Sequence, residues 1–164
     1  MRELKTEVNT QDSNGCTPVW IAAQNGHVSA IRILKEFGAD VNTTNIYGCI
    51  PVYVAAQNSH IDAIRVLKEL GAEVNTPDKD GRTPVWIADQ NGHVNAIRIL
   101  KELGADVNTP DNNGSTPMYI AVRKGHQDVV NLLKAYGAKD PSCFTISKTI
   151  VFDTQNDLLN SAIF

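Results

Sequence analysis

No apolar run in this 164-residue chain approaches the ~18 residues a membrane span needs, and Met1-Arg2-Glu3-Leu4 does not open a signal peptide. Charge of one sign never gathers into a block. Lys, Glu and Asp are interspersed, and the formal net charge is only −3. Phosphate binding wants a basic stripe, so the pattern argues against nucleic acid as a partner. No glycine-rich phosphate loop and no cluster of acids lies near a candidate nucleophile, which argues against an enzyme. Cysteine is scarce and odd in number, at three. Cys16 and Cys49 stand one period apart, so stacking would separate them by roughly 10 Å, a normal helix spacing. A disulfide tolerates about 7 Å between Cα atoms. Free thiols in a reducing compartment are expected, hence a cytoplasmic protein.

What the chain has in abundance is itself. Residues 78–110 form a unit of 33 residues, and equivalent units open at Asp12, Asn45 and Asp111. The first and third units differ at only seven positions. A fixed period in this range marks a stacked array whose core lies between neighbouring units. The division that follows is a partial repeat at 1–11 and full units at 12–44, 45–77, 78–110 and 111–141. The stretch 142–164 fits no fifth unit. Within it Thr154 to Asp157 reads as a capping box before Leu158, Leu159, Ala162 and Ile163, a short helix suited to covering the last unit. Glu3 to Thr10 aligns with Glu102 to Thr109, with Lys5 in a column otherwise occupied by glycine.

The punctuation within a unit is regular. Asp-x-x-Gly, as at Asp78 to Gly81, is turn chemistry: Asp accepts local backbone bonds and Gly permits positive φ. Thr-Pro follows, at Thr17-Pro18, Thr83-Pro84 and Thr116-Pro117, as N-cap and first helical residue. The first helix stops at Gly26, Gly92 or Gly125. A second helix follows, with apolar Ala30, Ile31, Leu34 and Phe37 at helical spacing in the first copy, ending at Gly38. The second unit breaks the pattern twice. Ile50 replaces the capping threonine, at a cost of ~1 kcal/mol, and Ser59 replaces the inter-helix glycine, at about 1 kcal/mol of left-handed strain.

Helix, turn, longer helix and extended finger at this period resemble the ankyrin repeat. The residues carrying the resemblance are Asp78, Gly81, Thr83-Pro84, Ala88, Gly92-His93, Leu100, Gly104-Ala105-Asp106 and Val107-Asn108, with their copies over residues 3–139. The resemblance implies an all-α repeat (α-solenoid) of paired antiparallel helices with β-turn, hairpin-like fingers. One departure is systematic. Trp20, Tyr53, Trp86 and Tyr119 stand where the family has histidine, so an aromatic column is expected in place of its polar link.

All four histidines, His27, His60, His93 and His126, share one column. Stacking keeps them a helix spacing apart, so bracing of the inter-helix turn is expected rather than a metal site. The column Arg32, Arg65, Arg98 with Glu36, Glu69, Glu102 reads as a solvated face of i,i+4 pairs.

The resemblance further implies a non-catalytic protein-interaction module that binds another protein on the concave face made by fingers and first helices. The alternatives are a targeting segment of a larger multidomain enzyme or effector, or a self-associating structural array. No cofactor and no metal are expected. A monomer is expected, with end-to-end association open. Copies disagree most at the fingers, which nominates Ser13, Asn14, Ile46, Tyr47, Lys79, Asp80, Arg82, Asn112 and Asn113. Asp89, Gln90, Asn91, Arg123 and Lys124 are nominated on the helices, with Asp89 expected to reach toward Arg123 or outward to a basic group. Tyr and Arg are favoured interface anchors. Asn42, Asn75 and Asn108, each in a Leu…Asp/Glu-Val-Asn setting, are similar to the site that a 2-oxoglutarate-dependent asparaginyl hydroxylase modifies in ankyrin domains. The competing role is to tie each finger to its neighbour.

Overall fold

Pro18, Pro51, Pro84 and Pro117 set where each first helix begins, and the structure, a computed structural model, describes residues 7–139. Among these, eight helices pair into four units without a strand: α1 (Pro18–Gln24) with α2 (Val28–Glu36), α3 (Pro51–Gln57) with α4 (Ile61–Glu69), α5 (Pro84–Gln90) with α6 (Val94–Glu102), and α7 (Pro117–Lys124) with α8 (Gln127–Ala135). The covering helix expected within 142–164, and Lys5, lie outside the described residues. Thr17, Thr83 and Thr116 each accept the amide of the residue three ahead, Trp20, Trp86 and Tyr119, at 3.2–3.3 Å. Proline sits at the start of each first helix, where its missing N–H costs nothing.

Each first helix packs on its own second helix, and those of the first three units also pack on the first helix of the next. Their Ala, Val and Ile side chains form one continuous core with Ile64, Leu67, Ile97 and Leu100 of the second helices. The row containing Phe37 behaves differently from expectation. Leu70 and Leu103 are half-buried, but Phe37 is 53 % exposed.

Polar rows lock one unit to the next. Asn42 donates to the Gly71 carbonyl at 3.1 Å and accepts the Glu73 amide at 2.9 Å. Asn9 and Asn75 repeat both contacts one unit either side. The tying role therefore engages both ends of these amide side chains. Each histidine row member after the first uses Nε2 at 3.0 Å from the carbonyl of Gln24, Gln57 or Gln90 in the preceding unit. The side chains of His60, His93 and His126 thus brace the turn of the preceding unit, and none caps its own helix. The Arg–Glu columns also pair across units: Arg32 meets Glu69 at 2.8 Å and Arg65 meets Glu102 at 3.7 Å, in place of the expected i,i+4 pairs. The reason is register, since stacking brings equivalent helix faces side by side.

The second unit carries both expected defects. Ser59 is the one non-glycine residue at positive φ (58°) among those described. Ile50 makes no side-chain cap, yet it is buried in the core, which offsets the lost bond.

Candidate functional site

The fingers are turns closed by their first residue. Asp78 Oδ1 accepts the amides of Asp80 and Arg82, both at 2.9 Å, and Asp12, Asn45 and Asp111 do the same in their units. One backbone bond then joins each finger to the next: Ile46 to Asn14, Lys79 to Tyr47, and Asn112 to Asp80. The approach is close enough that a Cβ at Gly15 would lie 2.9 Å from the Ile46 nitrogen, so glycine is required there for space as well as for φ. Tips held this way present side chains at fixed spacing.

The aromatic column keeps a polar link of its own, which corrects the expectation that packing would replace it. Trp20 Nε1 donates to the Cys49 carbonyl and Trp86 Nε1 to the Ser115 carbonyl, each at 2.9 Å. Tyr53 donates its hydroxyl to Asp78 Oδ2 at 3.0 Å. Rings long enough to cross the inter-unit gap carry their donors at the far edge. Burial and then the Asp78 carboxylate hold the Tyr53 phenol well above its usual pKa. The same two causes push the Cys49 thiol up to about 11, so neither Cys49 nor the buried, likewise raised Cys16 is an activated nucleophile.

Arg82 sits at the centre of the finger surface. Its Nε donates to Asp78 Oδ2 at 2.9 Å, another guanidinium nitrogen meets Asp80 at 2.5 Å, and its carbon lies 5.7 Å from the Trp86 ring centroid. Three contacts fix a long side chain in one rotamer before anything binds.

A groove of about 670 Å³ runs between the third and fourth fingers and the ends of α5 and α7. It brings together Asp80, Arg82, Gln90, Asn113, Arg123 and Lys124 of the nominated residues, with Trp86 and Ile120 at its base. A smaller hollow of about 220 Å³ gathers Asn14 and Tyr47 beside Trp20. Ser13, Ile46 and Lys79 are exposed on finger tips outside both. Asn91 and Asn112 are exposed but engaged, donating to the carbonyls of Gln57 and Lys79. Asp89 is misplaced by the sequence reading: it is 0 % exposed, and neither carboxylate oxygen has a hydrogen-bond partner. Its row, shared with buried Ala23 and Ala56, faces the next unit instead of the groove. Trp86 was missed as a groove wall, although the 29-residue step from each Trp to a carbonyl follows from the period.

No described helix is long and apolar enough to cross a membrane. The family model described as ankyrin repeats (3 copies) matches residues 1–78 and 70–143. A comparison with curated proteins returned no match. The matched spans cover most of the chain, and their periodic turns, capped helix pairs and inter-unit rows are those described above: the chain belongs to the ankyrin-repeat family.

Proposed function

We propose that the chain recognises a partner protein through the face shared by its fingers and first helices, chiefly at the third and fourth units. Ankyrin repeats are in general protein-interaction modules. The observation that supports this location is the groove in which a pre-fixed Arg82 faces Gln90, Asn113, Arg123 and Lys124 over an aromatic base. Arg123 and Lys124 are exposed, and neither is ion-paired among the described residues. The equivalent positions of the other units are neutral Gln and Asn. The groove, which the Asp80 and Asp111 carboxylates also line, therefore offers two cations outside the described ion pairs beside a rigid platform, which suits an acidic or carboxylate-bearing segment of a partner.

Affinity capture followed by titration of the captured, purified partner tests the reading. Arg123→Glu with Lys124→Glu should lower affinity tenfold or more, about 1.4 kcal/mol. Arg65→Ala, on the second-helix face, should leave affinity within about 0.5 kcal/mol. Equal loss in both would move the interface off the finger face.

A further inference from the structure

The two ends of the stack carry complementary halves of the joint that holds its middle together. First-helix side chains in the rows of Trp86 and Asp89 face the following unit and are covered by it. In the fourth unit the same rows hold Tyr119 and Val122, 39 % and 52 % exposed. The glycine row agrees. A Cβ at Gly26 or Gly92 would meet the imidazole of the next unit, His60 or His126, at 2.7 or 2.9 Å, whereas nothing lies within 4 Å of Gly125. At the other end, Ile33 is 52 % exposed although Val66, Ile99 and Leu132 in its row are buried against a predecessor. Ile21 and Phe37 share that open face.

The rows also fix a register. Tyr53 reaches Asp78, 25 residues on, and His60 reaches the Gln24 carbonyl, 36 residues back. Carried on from Tyr119 and Arg123 by the same steps, four periods of 33 residues, the partners are Asp12 and His27 of a second copy. Asp12 is equipped for this. Its Oδ1 holds the amides of Asn14 and Cys16, as Asp78 Oδ1 holds those of Asp80 and Arg82. That leaves Oδ2, the atom through which Asp78 accepts the Tyr53 hydroxyl. The second and fourth units both carry Tyr in this row, and the first unit differs from the third at only seven positions. The joint between units two and three is thus a template for one between unit four and a following unit one.

We propose that the chain binds a second copy of itself head to tail, the α7 face of Tyr119 and Val122 receiving the Ile21, Ile33 and Phe37 face. In this register the Tyr119 hydroxyl donates to Asp12 and His27 meets the Arg123 carbonyl. In this register residues 1–7 of the incoming copy fall on the same rows as 133–139 of the first, so only one of the two segments can fill them. The two surfaces differ, so the interface is heterologous, and association extends beyond a dimer unless the rotation closes.

Sedimentation equilibrium of the full chain tests this. The weight-average mass of the wild type should rise with concentration above the monomer's 17.9 kDa. Val122→Lys and Ile33→Lys each charge one exposed face, so each alone should fold with an unchanged melting curve and stay monomeric. Mixed, they should form a species of twice the monomer mass, because each supplies the intact face the other needs. A wild type that is monomeric at every concentration, as it would be with the α7 face covered by its own chain, overturns the proposal. So do single variants that still associate, or a mixture that stays monomeric.

Discussion

The hydroxyl of Tyr53 donates to Asp78 Oδ2 at 3.0 Å, so a side chain of the second unit supports the residue that folds the finger of the third. Asp78 is buried and accepts four hydrogen bonds: two amides, one phenol and one guanidinium. Its carboxylate couples inter-unit packing to finger geometry. Tyr53→Phe keeps the ring and removes one of the four donors. It should destabilise by about 1–2 kcal/mol, the cost of under-satisfying a buried acceptor. Urea denaturation should show a lower midpoint with an unchanged slope; an unchanged midpoint would mean the bond contributes nothing net.

Arg82 is expected to matter to stability as well as to binding. From sequence it reads only as a finger-tip interface anchor. The structure ties its Nε to the buried Asp78 and stacks it on Trp86. Arg82→Ala should therefore cost about 1–3 kcal/mol, because a buried carboxylate loses its charged partner. Arg82→Lys should recover only part of this, since an ammonium cannot reproduce the fork. Thermal denaturation of both variants decides it, and wild-type melting of Arg82→Ala would contradict the role given to Asp78.

Ser59 holds φ at 58°, where Gly26, Gly92 and Gly125 sit in the other units. Ser59→Gly should stabilise the second unit by about 1 kcal/mol by relieving left-handed strain. Ile50→Thr is the contrasting case. It restores a cap worth ~1 kcal/mol but removes a fully buried Ile side chain from the core, so the two terms should nearly cancel. Comparing the two variants by chemical denaturation separates backbone strain from burial. A clear gain from Ile50→Thr would show that the cap outweighs the packing.

The period, the capped helix starts and the turns were legible because each rests on local chemistry repeated in three or four units. What was not legible depends on distances between units. The periodic Arg and Glu columns look like i,i+4 pairs until stacking places Glu69 nearer Arg32 than its own helix does. The aromatic column hid its donors, because the carbonyls that receive them lie 29 residues on. Asp89 misled for a related reason. An acid in one copy of a column reads as a surface variation, whereas the row of Ala23 and Ala56 is sealed by the next helix pair.

Asp89 therefore carries the clearest pH prediction. It is 0 % exposed, neither oxygen has a hydrogen-bond partner, and burial alone drives its carboxyl pKa well above the ordinary value of 3.8. The folded chain keeps this proton while the unfolded chain releases it. Below the unfolded carboxyl's pKa both states are protonated and ionisation costs nothing, so only the burial of a neutral carboxyl without a partner remains. As pH rises above about 4, the unfolded state alone gains by ionising, and stability is lost progressively toward the raised folded value. That burial costs about 1–3 kcal/mol at any pH, and the ionisation cost adds to it toward neutrality. Alanine fills this row twice elsewhere in the stack at full burial, so Asp89→Ala fits the space. It should raise stability at both pH 4 and pH 7, and by more at pH 7. Denaturation curves of wild type and variant across this range test the sign. A difference that is constant with pH, or that favours the wild type at neutrality, would mean that Asp89 is solvated or paired in the folded chain.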